Sequence, residues 1–317
     1  VIGLFVGLAG GSFSVGIAYC ARWFEKSRQG MAMGVFGAGN SGAAVTKLVA
    51  PAIVVAYGWT MVPQVYAAAM LVTALLFWFF TYDDPAHKVP SHVTVREQLR
   101  ALKDPVVWKY CQYYSIVFGG YVALALWMTK YYVSEYGFDL KTAALLATAF
   151  SLPGGVLRAV GGWLSDHWGA HRVTWWVLWV SWICLFLMSY PNTEFTVQTV
   201  NGPQTWHLHL TAEVFTVLLF IVGVAFAFGK ASVFKYISDD YPHNIGVISG
   251  IVGLIGGLGG FLLPIMFGAL VDLTGIRTSA FMLMYGVVWV SLIWMYFTEV
   301  RKLDLMMKPA QAADTLE

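Results

Sequence analysis

Long apolar segments alternate with short polar ones along the whole chain. A transmembrane helix needs about 20 mostly apolar residues, and nine segments satisfy that requirement. They run over roughly 1–21, 31–56, 60–81, 108–132, 141–165, 173–190, 212–236, 245–271 and 278–298. Only two of the intervening linkers, 82–107 and 191–211, are long. The pattern predicts an all-α membrane protein with nine transmembrane helices in the lipid bilayer.

Composition agrees with this fold class. Hydrophobic residues make up 58% of the 317 positions and charged residues 11%, whereas soluble domains contain about 45–50% apolar and about 25% charged residues. The three cysteines, Cys20, Cys111 and Cys184, lie in or beside apolar runs without metal-ligand spacing. We therefore expect them to be packing residues rather than a disulfide framework.

The distribution of Lys and Arg between the linkers predicts the orientation. Three of the 19 basic residues lie within spans; thirteen fall on one side of the membrane and three, Lys130, Lys141 and Arg277, on the other. Cytoplasmic loops carry the excess of positive charge. The sequence thus predicts a multi-pass protein of the plasma membrane with a cytoplasmic C-terminus.

This orientation also predicts the domain organisation. Val1 falls inside an apolar run, and the first span starts from the outer side. Three preceding helices would bring the total to twelve, and loop 82–107 would then separate two six-helix halves. On this scheme residues 1–81 are helices four to six, 108–298 are helices seven to twelve, and 299–317 form a cytoplasmic tail.

Three basic residues, Lys47, Arg158 and Lys230, lie well inside predicted spans, while all 17 acidic residues lie in loops or at span ends. A basic residue at the bilayer centre costs about 2.5–3.5 kcal/mol, so each needs a cavity or a partner. We expect an anionic substrate to be that partner. The alternatives are a carboxylate outside these segments, or snorkelling of either lysine to an interface.

Arg158 is the best placed of the three, because small residues flank it on its own helix face. They are Gly154, Gly155, Gly161 and Gly162. A guanidinium is planar and offers paired donors to a planar oxyanion. Nitrate and nitrite fit this description, and so do formate and bicarbonate.

Two glycine clusters lie six spans apart. The first comprises Gly34, Gly37, Gly39 and Gly42, and the second Gly250, Gly253, Gly256, Gly257, Gly259 and Gly260. Small residues at turn spacing allow close helix packing, and we expect these surfaces to slide during transport. Asn40, within the first cluster, shares a helix face with Lys47 two turns away.

At these residues the chain resembles the nitrate/nitrite porter family of the major facilitator superfamily. One signature resembles Gly37-Ala38-Gly39-Asn40-Ser41-Gly42, and a second resembles the run from Gly253 to Phe261. The segment from Gly162 to Arg172 is similar to the superfamily's cytoplasmic loop motif, with Asp166 and Gly169 between its ends.

The resemblance implies a twelve-helix fold whose central site holds the anion between two arginines, and Arg158 matches the arginine of the eighth helix. It also implies that Asn40 contacts the substrate and that the aromatic rings of Phe13 and Tyr121 close over it. The signature glycines implied at the site are Gly37, Gly39, Gly42, Gly256, Gly257, Gly259 and Gly260. Transport would occur by alternating access, as proton symport or nitrate/nitrite exchange, with Lys47 and Lys230 as candidates for coupling or for the anion path.

Other functions stay open at this point. A transporter of another small anion such as formate, or a non-transporting sensor with the same fold, would fit the same pattern. A membrane enzyme would need clustered His, Cys or acidic residues, and the sequence offers only His207 and His209, without a third ligand. We expect no metal, no cofactor, no nucleic acid and no obligate protein partner.

Overall fold

The computed structural model describes residues 2–82 and 100–301. For residues 2–9, 43, 47, 48 and 51 it describes the backbone alone, so the side chain of Lys47 lies outside the described part. Most of loop 82–107 and residues 302–317 of the tail also lie outside it. The first helices are α1 (Ile2–Trp23), α2 (Gln29–Gly37), α3 (Gly42–Tyr57) and α4 (Met61–Phe80). The next are α5 (Pro105–Tyr114), α6 (Tyr121–Tyr136), α7 (Leu140–Val156), α8 (Arg158–Trp168) and α9 (Ala170–Met188). The last are α10 (Ala212–Asp240), α11 (Ile245–Thr274) and α12 (Ser279–Met295).

Six of the helical segments described are long and apolar enough to cross a membrane, or seven when the bent pair α7–α8 is counted as one span. α1 and the α2–α3 stretch lie where the sequence predicts the remaining two of the nine spans. α4 has no buried residue on any face, as expected of a helix whose apolar side chains contact lipid.

Three of the spans are interrupted, and each interruption lies close to a predicted site residue. A 3₁₀ turn, Ala38–Ser41, separates α2 from α3, and a π-helical segment, Ser115–Gly120, separates α5 from α6. α7 and α8 meet at an angle of 43°, with Pro153 in the last turn of α7. Irregular backbone in a membrane is tolerated where protein buries it or where it lines a cavity.

A two-stranded hairpin lies within the long linker 191–211. β1 (Thr193–Thr199) pairs antiparallel with β2 (Gly202–Leu208), and the register joins Thr193 to Leu208. Gly202 has φ +100°, a conformation that residues with a side chain rarely adopt. The described chain is therefore all-α within its spans but carries a small β element outside them.

The core is formed mainly by the helices from α5 onward. α10 packs against α7, α8 and α9, and α11 packs against the π segment and α5. The first part of the chain joins this bundle chiefly through α2, which lies along α8. The contact is backbone to backbone, because a Cβ on Gly30 would lie 2.5 Å from the Gly162 carbonyl and one on Gly34 2.6 Å from the Arg158 carbonyl.

A buried ionic cluster joins the helix ends on the predicted cytoplasmic side. Glu299, in the π-helical turn Tyr296–Val300 that extends α12, forms an ion pair with Lys109 of α5. His171 Nδ1, at the start of α9, lies 2.5 Å from the same carboxylate and 2.8 Å from the hydroxyl of Tyr236. Lys109 and Glu299 lie at the ends of predicted spans, and the fold buries them against each other.

Candidate anion-binding site

A cavity of about 980 Å³ lies between α1, the α2–α3 turn, α5 and α11. Asn40 and Gly39 of the first signature contribute to its wall, and so does Phe13 of α1. The opposite wall contains Gly253 and Gly257 of the second signature. Both signatures therefore meet at one cavity, although only some of their residues face it.

Arg158 lies next to this cavity and is completely buried. It is the first residue of α8, directly after the bend in its span. Its Nη2 donates a long hydrogen bond of 3.4 Å to the carbonyl of Lys230, and its Nε and Nη1 have no partner among the described residues. Buried guanidinium donors normally have hydrogen-bond partners. The two unpaired nitrogens of Arg158 are therefore available to donate to an anion.

The helix geometry adds to the positive potential at Arg158. The N-terminus of an α-helix carries a partial positive charge from its unpaired N–H groups. Broken transmembrane helices direct such N-termini at anionic substrate groups in other transporters. Because α8 begins at Arg158, the dipole and the side chain act on the same region.

Aromatic rings separate the guanidinium from the open part of the cavity. The Arg158 Cζ lies 4.9 Å from the ring centre of Phe13 and 5.6 Å from that of Phe234. Phe13 also packs against Phe36, with ring centres 5.5 Å apart. Phe13 therefore contacts both the guanidinium and the cavity.

Two further aromatic side chains of the cavity wall, Tyr114 and Phe118, were not among the sequence candidates. Their rings stack with centres 5.1 Å apart. The Tyr114 hydroxyl is buried without a hydrogen bond of ordinary length, but it lies close enough to Arg158 for a weaker side-chain hydrogen bond and a charge interaction. The i, i+4 spacing of two aromatic residues on one helix face was the available signal.

Tyr121, the other aromatic residue that the resemblance implies at the site, contacts Lys230. Its ring does not line the cavity; it lies under Lys230, whose Nζ is 3.4 Å from the ring centre. The Tyr121 hydroxyl donates to the carbonyl of Ser151 at 2.5 Å. Lys230 is fully buried, and its Nζ donates to the carbonyl of Gly154 at 2.7 Å.

The signature glycines divide into groups with different surroundings. A Cβ on Gly37 would collide with the Arg158 side chain, whereas Cβ atoms on Gly39, Gly42 and Gly257 would meet nothing within 4 Å. Gly256, Gly259 and Gly260 pack instead against Tyr114, Ser115 and Val122 of the neighbouring helix. These three glycines of the second cluster thus form a contact within the bundle, and the role of the cluster as a sliding surface stays a prediction.

The loop motif connects α8 to α2. The Asp166 carboxylate accepts from the backbone N–H groups of Gly30 and Met31, each at 2.8 Å, at the start of α2. Lys235 of α10 lies 3.6 Å from the same carboxylate and donates to the carbonyl of Lys26 at 2.6 Å. A carboxylate at a helix N-terminus is stabilised by the helix dipole, so this contact, here called the Asp166 latch, holds the two parts together.

The other motif residues lie beside the latch. Gly162 is the glycine that faces Gly30 across the α2–α8 contact. Gly169 ends α8 with φ +84°, in the left-handed region that favours glycine. Arg172 is on the first turn of α9. Among the described residues no group of three or more His, Cys, Asp or Glu side chains is arranged to hold a metal ion.

The geometry thus defines a helix-bundle membrane protein with a cationic pocket between two packed groups of helices. The family model of the Major Facilitator Superfamily matches residues 1–264 and 142–308. FucP, a transporter of this superfamily solved in the outward conformation, aligns with a TM-score of 0.65 at 15% identity, over 90% of this chain and 72% of FucP.

Curated relatives give a narrower comparison. The "Probable nitrate/nitrite antiporter NarK1" of Thermus thermophilus is 37% identical over 312 residues, covering 94% of this chain and 70% of that protein. The "Nitrite extrusion protein" of Bacillus subtilis is 30% identical over 304 residues, covering 95% of this chain and 72% of that protein. The chain therefore belongs to the nitrate/nitrite porter family of the Major Facilitator Superfamily. It is a transporter rather than an enzyme.

Proposed function

We propose that this chain carries nitrate or nitrite across the plasma membrane and that Arg158 binds the anion. The observation that carries the proposal is the arginine's buried position with two unpaired donors. Among the described residues no carboxylate forms an ion pair with it. A planar anion can bind in the paired geometry that guanidinium groups favour by accepting from Nη2, whose bond to Lys230 is long, together with either Nη1 or Nε.

The names of the relatives support this choice of substrate, because they are described as nitrate/nitrite or nitrite transporters. The side chains around the guanidinium are also suitable. Tyr114 offers an unpaired hydroxyl, and Asn40 offers an amide at the cavity wall. An oxyanion with three or two oxygens could accept from several of these donors at once.

In the proposed cycle, an anion enters the cavity, displaces the Phe13 ring and binds Arg158. Neutralising the buried charge favours closure of the cavity. Opening on the other side requires α2 to separate from α8, and with it the release of the Asp166 latch. Alternating access by rocking of two helix groups about a central site is the general scheme for such transporters.

The test is nitrate uptake into proteoliposomes by Arg158→Lys. Lysine keeps the charge but lacks the planar pair of donors, so we expect uptake to fall at least tenfold. Arg277→Lys is the matched control, since Arg277 pairs with Glu135 on an exposed surface and its replacement should leave uptake unchanged. Near-normal uptake by Arg158→Lys would refute the proposed role.

The coupling mode is a separate question, because arginine does not release its proton. We propose either nitrate/nitrite exchange or proton symport, with Lys47 and Lys230 as the candidate titratable groups. Nitrate uptake that requires internal nitrite would indicate exchange, and uptake driven by an inward proton gradient alone would indicate symport. Formate competition in the same assay tests the alternative substrate, since formate shares the planar geometry.

A further inference from the structure

A link between the anion site and α10 runs through Lys230. The Lys230 ammonium donates to the carbonyl of Gly154, and the Arg158 guanidinium donates to the carbonyl of Lys230. The two bonds run in opposite directions between the same two segments. They join the bend of the α7–α8 span to the middle of α10, and both cationic side chains are completely buried.

The position of Gly154 explains why this link matters. In a continuous α-helix, the carbonyl of residue 154 would accept from the N–H of residue 158. Here α7 ends at Val156 and α8 begins at Arg158, with a bend of 43° between them. An unsatisfied carbonyl buried at such a break is costly in a membrane, and the Lys230 ammonium satisfies it at 2.7 Å.

The surroundings hold the ammonium at that carbonyl. The ring of Tyr121 lies against it at 3.4 Å and is itself fixed by the hydroxyl bond to Ser151. An ammonium over an aromatic face is stabilised by the negative face of the ring. Among the described residues no carboxylate pairs with Lys230, so the position is not that of an ordinary buried ion pair.

We propose that Lys230 is a positioning residue for the anion site: its bond to Gly154 stabilises the bend that sets Arg158 at the start of α8. This inference rests on the proposed role of Arg158 in binding the transported anion. Lys230 acts through the arginine and does not touch the substrate. Loss of the bond should weaken anion binding more than it slows the conformational cycle.

The experiment measures nitrate uptake in proteoliposomes as a function of external nitrate for Lys230→Met, Lys230→Arg and the wild type. Methionine keeps much of the side-chain volume but cannot donate. We expect it to raise the half-saturation concentration about 10- to 100-fold, the range for a lost charge-assisted hydrogen bond, with the maximal rate within about threefold. Arginine retains charge and donors but has a larger planar head, so its half-saturation concentration should lie between those of Lys230→Met and the wild type.

The matched control is Lys130→Met. Lys130 also lies over an aromatic ring, that of Trp127 at 5.4 Å, but it is exposed. Its replacement should leave both constants unchanged, which separates the positioning effect from a general loss of positive charge. Melting curves of the purified variants report folding independently of transport.

Absence of nitrate uptake by the wild type would overturn the proposed function itself, whereas wild-type uptake with unchanged half-saturation in Lys230→Met would overturn the positioning role alone. A fall in maximal rate without a change in half-saturation would also contradict it. If Lys230→Met does not fold, Lys230→Leu, which also cannot donate, replaces it; an unchanged half-saturation in that variant would equally overturn the proposal.

Discussion

Replacing Gly37 by alanine tests the arrangement around Arg158 most selectively. A Cβ at this position would lie 2.6 Å from both Cδ and Cζ of Arg158. Ordinary van der Waals contact begins at 3.4 Å, so the side chain would have to retreat by roughly 1 Å to relieve the overlap. Phe13 and Phe234 lie against the guanidinium and limit that retreat.

The cost follows from hydrogen-bond geometry. In N–H···O hydrogen bonds the nitrogen and oxygen lie about 2.7–3.2 Å apart, and the bond weakens quickly at longer distances. A shift of the guanidinium by roughly 1 Å is therefore enough to lose one bond to a bound anion. A hydrogen bond involving a charged group contributes about 1.5–3 kcal/mol. The half-saturation concentration for nitrate should therefore rise about 10- to 150-fold.

The control is Gly268→Ala in α11, outside the cavity wall and both signatures. A Cβ there meets nothing within 4 Å, and alanine is the better helix former by about 1 kcal/mol. Gly268→Ala should therefore transport normally and melt at the same temperature or slightly higher. Equal half-saturation concentrations in the two variants, measured by nitrate uptake in proteoliposomes, would refute the close packing of Gly37 against Arg158.

Three further predictions use the same purified protein. Glu299→Gln should lower thermal stability, because removing one partner of a buried ion pair leaves Lys109 unpaired at a cost of about 3–5 kcal/mol; a melting temperature equal to the wild type would contradict the burial of the pair. Asp166→Asn should shift the protein towards the state open to the cytoplasm, since the latch loses its charge at the α2 N-terminus; the accessibility of a cysteine introduced at Met31 should rise, and unchanged labelling would argue against the latch. Tyr114→Phe should keep the wild-type melting temperature but raise half-saturation about 3- to 10-fold if the free hydroxyl donates to the anion; Tyr113→Phe, outside the cavity wall, is its control, and identical kinetics in both would exclude this contact.

The sequence predicted the fold class because span length and hydropathy are local properties. The break in the α7–α8 span was also foreseeable, because Pro153 and paired glycines lie in an apolar run. The hairpin had a local signal as well: Asn201-Gly202 between alternating polar and apolar residues is typical of a two-residue turn. The length and charge of the linker do not indicate this turn.

The site was predictable only in part, because its geometry depends on contacts between distant segments. A basic residue without an acidic partner can be found from the sequence, and Arg158 was found in this way. The burial of Lys109 depends on Glu299, which lies 190 positions away, and no local pattern indicates it. Likewise, the π segment before Tyr121 shifts the helical register of the residues that follow it. This shift determines that the Tyr121 ring faces Lys230.

A structure of the purified protein with bound nitrate is the most direct test of whether the anion binds at Arg158. We expect density for the anion within about 3 Å of Nη1 or Nε, with the Phe13 ring displaced from its present contact. Density elsewhere in the cavity, with both donors of Arg158 still unpaired beneath Phe13, would contradict it.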